Sequence, residues 1–501
     1  MKNNRFVRIL SGALAALMLL PAFVGCAGDD TNTPADTTAA PSVGNETTAA
    51  ETTTPTHDAD GYLLDTLPAD LDFGGEKVGI LYWEDVEHPE FEVSEITGDI
   101  VNDAIFKRNE TVQDRLNVEF EWFTSKGNSS NRNIYFQTVQ NSFNAGEKAY
   151  DIYAAYSRTL GMVAQNGYCY NLNDVDYLDF EMPWWPQSML ETAQVADKLF
   201  FVSGDISTNT LHMMYGIYYN KDMITNYQMT DPTEYVLNGT WTIDKMIEMT
   251  NGLYQDLNGD GKADPNDQYG LTSLDYHNEA FHTGADLHLI IKDPDKILIL
   301  DPGYAGERAV NLIDKVGAWM QTADVHKGAS ATYMQTFEAG TCLFSVNRAH
   351  TAEKNLRNVD FAYGILPAPK YDEKQENYIT CMANPFTLYA ISRDCETPDT
   401  SAAVLEALGS AGYRMTTPAI FETNMKVKYS ENDINAQMYD IIRDGVDFEL
   451  GRIFGTALDY TCTEYIQNAI WANTPWVSLS KTVIKLATKK IEKLVEQLMA
   501  E

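Results

Sequence analysis

The chain has 501 residues and a formal net charge of −36, with 72 Asp and Glu against 36 Lys and Arg. A field of that sign disfavours nucleic acid as a partner, because no basic stripe is present to neutralise phosphates. Apolar residues make up 44%, a globular share, and the length suits two large lobes rather than one ordinary domain.

At the N-terminus Lys2, Arg5 and Arg8 precede an apolar run from Ile9 to Val24 that ends at Gly25 and Cys26. The run falls short of the ~20 residues that span a bilayer, so residues 1–25 are expected to be a secretory signal. Phe23-Val24-Gly25-Cys26 resembles the bacterial lipobox, which implies acylation of Cys26 and removal of everything before it. Residues 26–59 then read as a tether. Between 27 and 56 there are ten Thr, six Ala and three Pro, with Val43 the single large aliphatic. Such a segment has nothing to bury, and a disordered linker of its length holds a folded body ~30 Å or more from a membrane. Apart from Cys26, the cysteines are Cys169, Cys342, Cys381, Cys395 and Cys462. Five is an odd number that fits no complete disulfide framework, though it leaves room for one bridge.

The body alternates strands and helices. Residues 77–83 read as a buried strand, 99–116 as a helix carrying Val101, Ile105, Val112 and Leu116 on one face, and 119–123 as a strand. A helix with Phe136, Val139 and Phe143 follows, then a strand over 151–156. That order predicts an α/β lobe with a largely parallel sheet. Ligands of such sheets bind beyond the carboxyl ends of the strands, which places Trp83, Glu84, Ser157 and Arg158 at a candidate cleft.

Residues 256–267 follow the D-x-N-x-D-G pattern of a calcium loop. Side-chain oxygens fall at Asp256, Asn258, Asp260 and Asp264, Lys262 offers its carbonyl, Gly261 permits the sharp turn, and Asp267 stands where Glu is usual. A structural Ca2+ is expected there; the competing reading is an Asx-rich turn without metal. His277, His282 and His288 lie close together with Glu279 and Asp286, yet the i, i+4 spacing of a zinc helix is absent, so a helical lobe segment is expected. No nucleophile elbow, P-loop or dinucleotide fingerprint is present.

A series of ordered segments carries a resemblance. Tyr82-Trp83-Glu84-Asp85 comes first, then residues 151–158 with Gly161 and Gln165-Asn166-Gly167, then Asp197-Lys198-Leu199-Phe200-Phe201. Tyr218-Tyr219-Asn220-Lys221-Asp222, Gly239-Thr240-Trp241-Thr242, Phe337-Glu338-Ala339-Gly340 and Tyr363-Gly364-Ile365-Leu366-Pro367 follow. Over most of residues 75–410 the chain resembles the extracellular solute-binding proteins of the type that includes maltose-binding protein. The resemblance implies a two-lobed, periplasmic-binding-protein-like α/β fold of type II with a hinge, the first crossing near 218–222 and the return after Pro367. It implies lobe 1 at 60–212 and 376–435, lobe 2 at 213–375, and C-terminal helices, 436–501, packing across both.

Carried over residue by residue, Trp83 and Glu84 match the first binding loop, and Ser157 and Arg158 a loop that grips sugar hydroxyls. Asp275, Tyr276 and His277 fall where the second lobe offers contacts. Asn347 and Arg348 follow a strand where the family often has an aromatic, so Trp471 or Trp476, or Trp184 and Trp185 from lobe 1, are expected to supply a stacking face. Sugars call for both kinds of partner, an aromatic for the C–H face and charged or amide groups for the hydroxyls. The resemblance implies a monomeric, lipid-anchored binder outside the membrane that passes a small carbohydrate to an ABC transporter permease, with no enzymatic activity. A peptide or other polar solute, a surface glycan-binding role and a secreted glycoside hydrolase are the alternatives; the last needs only two carboxylates across a cleft.

Overall fold

The computed structural model describes residues 56–428 and 433–500; Cys26, the signal and all but the end of the tether lie outside them. Strand β1 (Glu76–Trp83) is buried through its centre. Helix α1 (Ile100–Leu116) starts at Asp99, whose carboxylate accepts the amides of Val101 and Asn102, a cap contributing about 1 kcal/mol. Its face of Ile105, Val112 and Leu116 is buried, and Asn117 in the left-handed conformation (φ 51°) ends it. The chain then runs straight into β2 (Val118–Ser125), which pairs with β1 in parallel along its whole length. Helix α2 (Arg132–Ala145) leads to β3 (Ile152–Tyr156), parallel to β1 and buried at every residue. A strand covered on both faces has to read as a continuous apolar run, as Ile152-Tyr153-Ala154-Ala155-Tyr156 does. Helix α3 (Ser157–Gln165) follows without a loop.

The chain leaves this first sheet at Met213 and Met214 and enters β4 (Tyr215–Asn220) of a second. The segment 218–222, expected at the crossing, instead ends β4 and begins the next short helix. Helix α4 (Ile243–Thr250), capped by Thr242, precedes β5 (Tyr269–Ser273). Helix α5 (Glu307–Trp319), β6 (Val325–Lys327), β7 (Cys342–Arg348) and β8 (Tyr363–Leu366) complete the second half, with strand order β8-β4-β7-β5-β6. β5 is parallel to β6 and β7, while β4 is antiparallel to β7 and β8.

The return passes beside the exit. Met382 bridges Met214, and the Ala383 amide donates to the Met213 carbonyl (2.9 Å). β9 (Thr387–Ile391) then joins β3 antiparallel, giving a first sheet of order β9-β3-β1-β2, and helix α6 (Pro398–Ala411) packs on α1. The first sheet is thus mostly parallel, with β9 its one antiparallel strand, and the second is mixed, parallel through β7, β5 and β6 and antiparallel where β4 pairs with β7 and β8.

Helix α7 (Asp433–Asp444) packs on β8 of the second sheet. Helix α8 (Glu464–Ala472) lies on α5. Helix α9 (Trp476–Met499) begins with Trp476 buried and donating to the Tyr304 carbonyl (2.9 Å), and ends with Gln497 bonded to Gln165 of α3 (2.9 Å). Gly161 of α3 admits the C-terminal segment: a Cβ there would stand 2.7 Å from the Ile453 carbonyl oxygen. All five described cysteines are free, and no described helix is long and apolar enough to cross a membrane.

A buried polar network fixes the loop after β1 to the segment before the first crossing. Glu90 accepts from the Ser207, Thr208 and Tyr389 hydroxyls, the Asn209 amide and its side chain. Arg108 of α1 donates to the carbonyls of Glu90 and Ile206. Every buried charge there has partners, the condition under which burial is tolerated.

Candidate ligand-binding site

A cavity of about 440 Å³ opens at the junction of the two halves, beyond the carboxyl ends of β3, β5 and β7. The first half contributes Glu87, Tyr156 and Arg158; the second contributes Tyr215, Asp275, Tyr276, Glu279 and Arg348; the C-terminal segment adds Tyr460, Glu464 and Gln467. Strand ends supply Tyr156, Tyr215 and Arg348, the turns and helices that follow them supply Arg158, Asp275, Tyr276 and Glu279, and α8 brings Glu464 and Gln467 to the same rim.

Arg158 is held on two sides. Its Nε donates to the Arg452 carbonyl (3.2 Å) and its guanidinium lies 5.1 Å from the centre of the Tyr460 ring. With Nε engaged, the rest of the fork is available to the cavity it lines. Tyr460 and its neighbour Asp459 both adopt left-handed backbone (φ 54° and 49°), a conformation costing about 1–3 kcal/mol each and concentrated at functional positions. Opposite, Tyr276 is 42% exposed, a large ring presented to the cleft. Arg348 pairs with Glu87 across the junction (3.1 Å), so both halves share one ion pair at the cavity wall.

Beneath the wall lies a buried ion pair between Arg452 and Glu279. Gln467 also donates to Glu279, and Arg452 reaches the Cys381 sulfur at 3.0 Å. Burial, with Glu279 nearby, raises the Tyr215 hydroxyl well above the ordinary phenol range, so it is a neutral donor. Burial, reinforced by Arg348, lowers His277 to about 3, leaving a neutral ring packed edge-on against Tyr215, Tyr276 and Tyr333.

Of the residues singled out in the sequence, Arg158, Asp275, Tyr276 and Arg348 line the cavity together. Ser157 is buried and donates to the Asn384 carbonyl (2.7 Å), fixing a loop that forms the wall. His277 stands behind the wall, as does Asn347, which donates to the Tyr333 hydroxyl (2.8 Å). Glu84 is exposed at the end of β1 and outside the cavity lining. Trp83, Trp184, Trp185 and Trp476 differ from expectation. All four are fully buried core residues, three with indole donors satisfied by Thr387, Glu406 and the Tyr304 carbonyl. An indole that finds an internal acceptor gains more from burying its whole surface than from lining a polar cleft. Trp471 is half-buried beneath the Lys327 ammonium (5.3 Å) and outside the lining. The aromatic wall is built of tyrosines instead. Tyr156 was legible as the neighbour of Ser157, whereas Tyr460 lies in a turn with no periodic pattern.

In the 256–267 loop, Asp256 accepts the amides of Gly259 (2.6 Å) and Gly261 (2.9 Å). Asp267 is buried and accepts the amides of Leu257 and Asp264 and the Tyr254 hydroxyl. Gly261 takes the positive φ (75°) that the pattern anticipates. His277 and His282 lie within short helical turns. Among the described residues, three metal-ligating side chains converge elsewhere, at His88, His212 and Glu353.

Two sheet-centred lobes, crossed side by side by the chain and sharing one polar cavity, define a two-lobed ligand-binding protein of the periplasmic-binding type. The chain belongs to the bacterial extracellular solute-binding proteins, whose family profile matches residues 124–411. A cyclo/maltodextrin-binding protein complexed with maltotetraose superposes with TM-score 0.54 at 13% identity, covering 85% of this chain and 98% of its own. An extracellular solute-binding protein from Staphylococcus aureus in complex with maltose gives 0.53 at 12%, covering 85% and 99%. The galacto-N-biose/lacto-N-biose I-binding protein of an ABC transporter from Bifidobacterium longum, in complex with lacto-N-biose, gives 0.53 at 11%, covering 84% and 98%. At such identities the likeness is one of fold. No curated protein matches the sequence.

Proposed function

We propose that this protein captures a small carbohydrate in the cavity between its lobes and delivers it, unchanged, to an ABC transporter permease at the outer face of the cell membrane. In this reading it works as a monomer held there by a lipid on Cys26. The observation that carries the reading is the pairing of an exposed ring, Tyr276, with the forked donors Arg158 and Arg348 around one cavity built from both lobes. A sugar uses both, its C–H face on the ring and its hydroxyls on the guanidinium and carboxylate groups. The solved relatives of the same fold that hold maltotetraose, maltose and lacto-N-biose favour this ligand class.

A thermal-shift screen across mono- and oligosaccharides tests it. A bound sugar at about 100 times its Kd adds about 2.7 kcal/mol to the folded state, so one structurally related set should raise the melting temperature and be recovered intact by chromatography. Cleavage of the sugar would assign an enzyme. A flat response to every sugar, with a rise on peptides, would move the ligand to that class.

The same reading gives the 256–267 loop a structural Ca2+. Oxygens from Asp256, Asn258, Asp260, Asp264 and Asp267 and the Lys262 carbonyl suit a hard cation, and a cation would relieve the repulsion of four carboxylates in one short loop. Chelation is expected to lower the melting temperature, Asp260→Ala to abolish that difference, and sugar affinity of the folded protein to change little. Identical melting curves in chelator and in excess Ca2+ would make the loop a turn only.

A further inference from the structure

We propose that His88, His212 and Glu353 form a binding site for a divalent transition cation of the Zn2+ class, which clips the two lobes together where the chain crosses between them. One ligand atom from each of the three residues lies within 4.8 Å of the other two. Each comes from a different part of the fold. His88 is on the loop after β1, His212 ends the short helix Thr208–His212 just before the first crossing, and Glu353 is on the helix Thr351–Lys354 that follows β7.

The residue types fit the ion. Two imidazoles and one carboxylate are a familiar donor set for zinc, with Zn–N and Zn–O distances near ~2.0–2.2 Å, and a water completes the tetrahedron. His212 is 4% exposed, and its Nδ1 has no hydrogen-bond partner, although a buried ring nitrogen without a partner is costly. A cation would satisfy it. A second feature points the same way. His88 Nε2 lies 2.7 Å from His350 Nδ1, the kind of outer contact that orients a metal-bound imidazole. The backbone around the site is fixed, since the His350 amide donates to the His212 carbonyl (3.2 Å) and the His88 carbonyl accepts from Asn209, while the rings of His88 and His212, stacked with centres 3.8 Å apart, turn out of that stack to share the ion.

The site has a route to the cleft. Glu87, adjacent to His88, forms the ion pair with Arg348, two residues before His350, and both line the sugar cavity. Bound metal therefore restrains the lobe junction and the cavity wall at once. The proposal stands on these contacts whether or not the cavity takes a sugar.

The test is calorimetric titration of ZnCl2 into the full chain, produced without a histidine tag, stripped with chelator and held in excess Ca2+ to occupy hard oxygen sites. One equivalent of Zn2+ should bind. His88→Ala should weaken it about 100-fold or more, Glu353→Gln about 10-fold or more and His350→Gln about 10-fold, in line with the cost of losing ligands and their outer partners. His326→Gln, at a histidine in β6 outside the cluster, should leave it unchanged. Co2+ should give the visible absorption of a four-coordinate site, lost in His88→Ala. If a His212 variant does not fold, the half-buried His88 and Glu353 decide the matter. No Zn2+ uptake by the native chain, or uptake undiminished in His88→Ala and Glu353→Gln, overturns the proposal.

Discussion

Arg452→Met should destabilise the protein by about 3–5 kcal/mol, because it strips the partner from a largely buried carboxylate. Glu279 is 8% exposed and Arg452 5% exposed, and the pair is joined by Gln467 and the Cys381 sulfur. The cost arises from the orphan, so the double variant Arg452→Met, Glu279→Met should regain most of the loss, as apolar replacements of buried ion pairs do. Urea unfolding followed by tryptophan fluorescence reads both. A single variant within about 1 kcal/mol of the native chain, the range of exposed pairs, would mean that the pair is solvated. Since the Glu279 side chain also lines the cavity, the double variant should bind ligand more weakly even where it folds well.

The second large effect is on binding. Arg158→Ala should lower sugar affinity by about 1.5–3 kcal/mol, roughly 10- to 150-fold, the value of a charge-assisted donor pair. Its side chain sits at the cavity wall with one backbone contact, so unfolding by urea should change little. Arg132→Ala removes the other guanidinium near Tyr460 (5.7 Å) from outside the cavity lining and should cost much less. Calorimetry on the folded variants separates the two. Full affinity in Arg158→Ala would take it out of the site.

The first lobe was legible in the sequence because its signals are local. Buried runs at 77–83 and 151–156 and a capped amphipathic helix between them are set by neighbours a few residues apart, and β1, α1 and β3 fall where those patterns lie. The cavity was only partly legible. Arg158 stands two residues past the end of β3, so topology places it, whereas Asp275 was reached through the family resemblance. Tyr460 and Gln467 reach the cavity through a C-terminal segment whose path depends on contacts far away in the chain, such as Gly161 against Ile453 and Gln165 against Gln497. No local period encodes that route. The tryptophans misled for an energetic reason: residue type alone cannot tell an indole with an internal acceptor from one facing a ligand. The histidines at 88, 212 and 350 stand too far apart in sequence for any spacing rule to join them.

Capture by closure of two lobes is tested most directly by small-angle scattering on the full chain, with and without a saturating amount of the saccharide that raises its melting temperature. Contacts to both lobes favour a closed arrangement only if the ligand binds it more tightly than the open one. A smaller radius of gyration is expected with ligand, and Arg158→Ala should need more saccharide to reach the same value. An unchanged radius at saturation would contradict it.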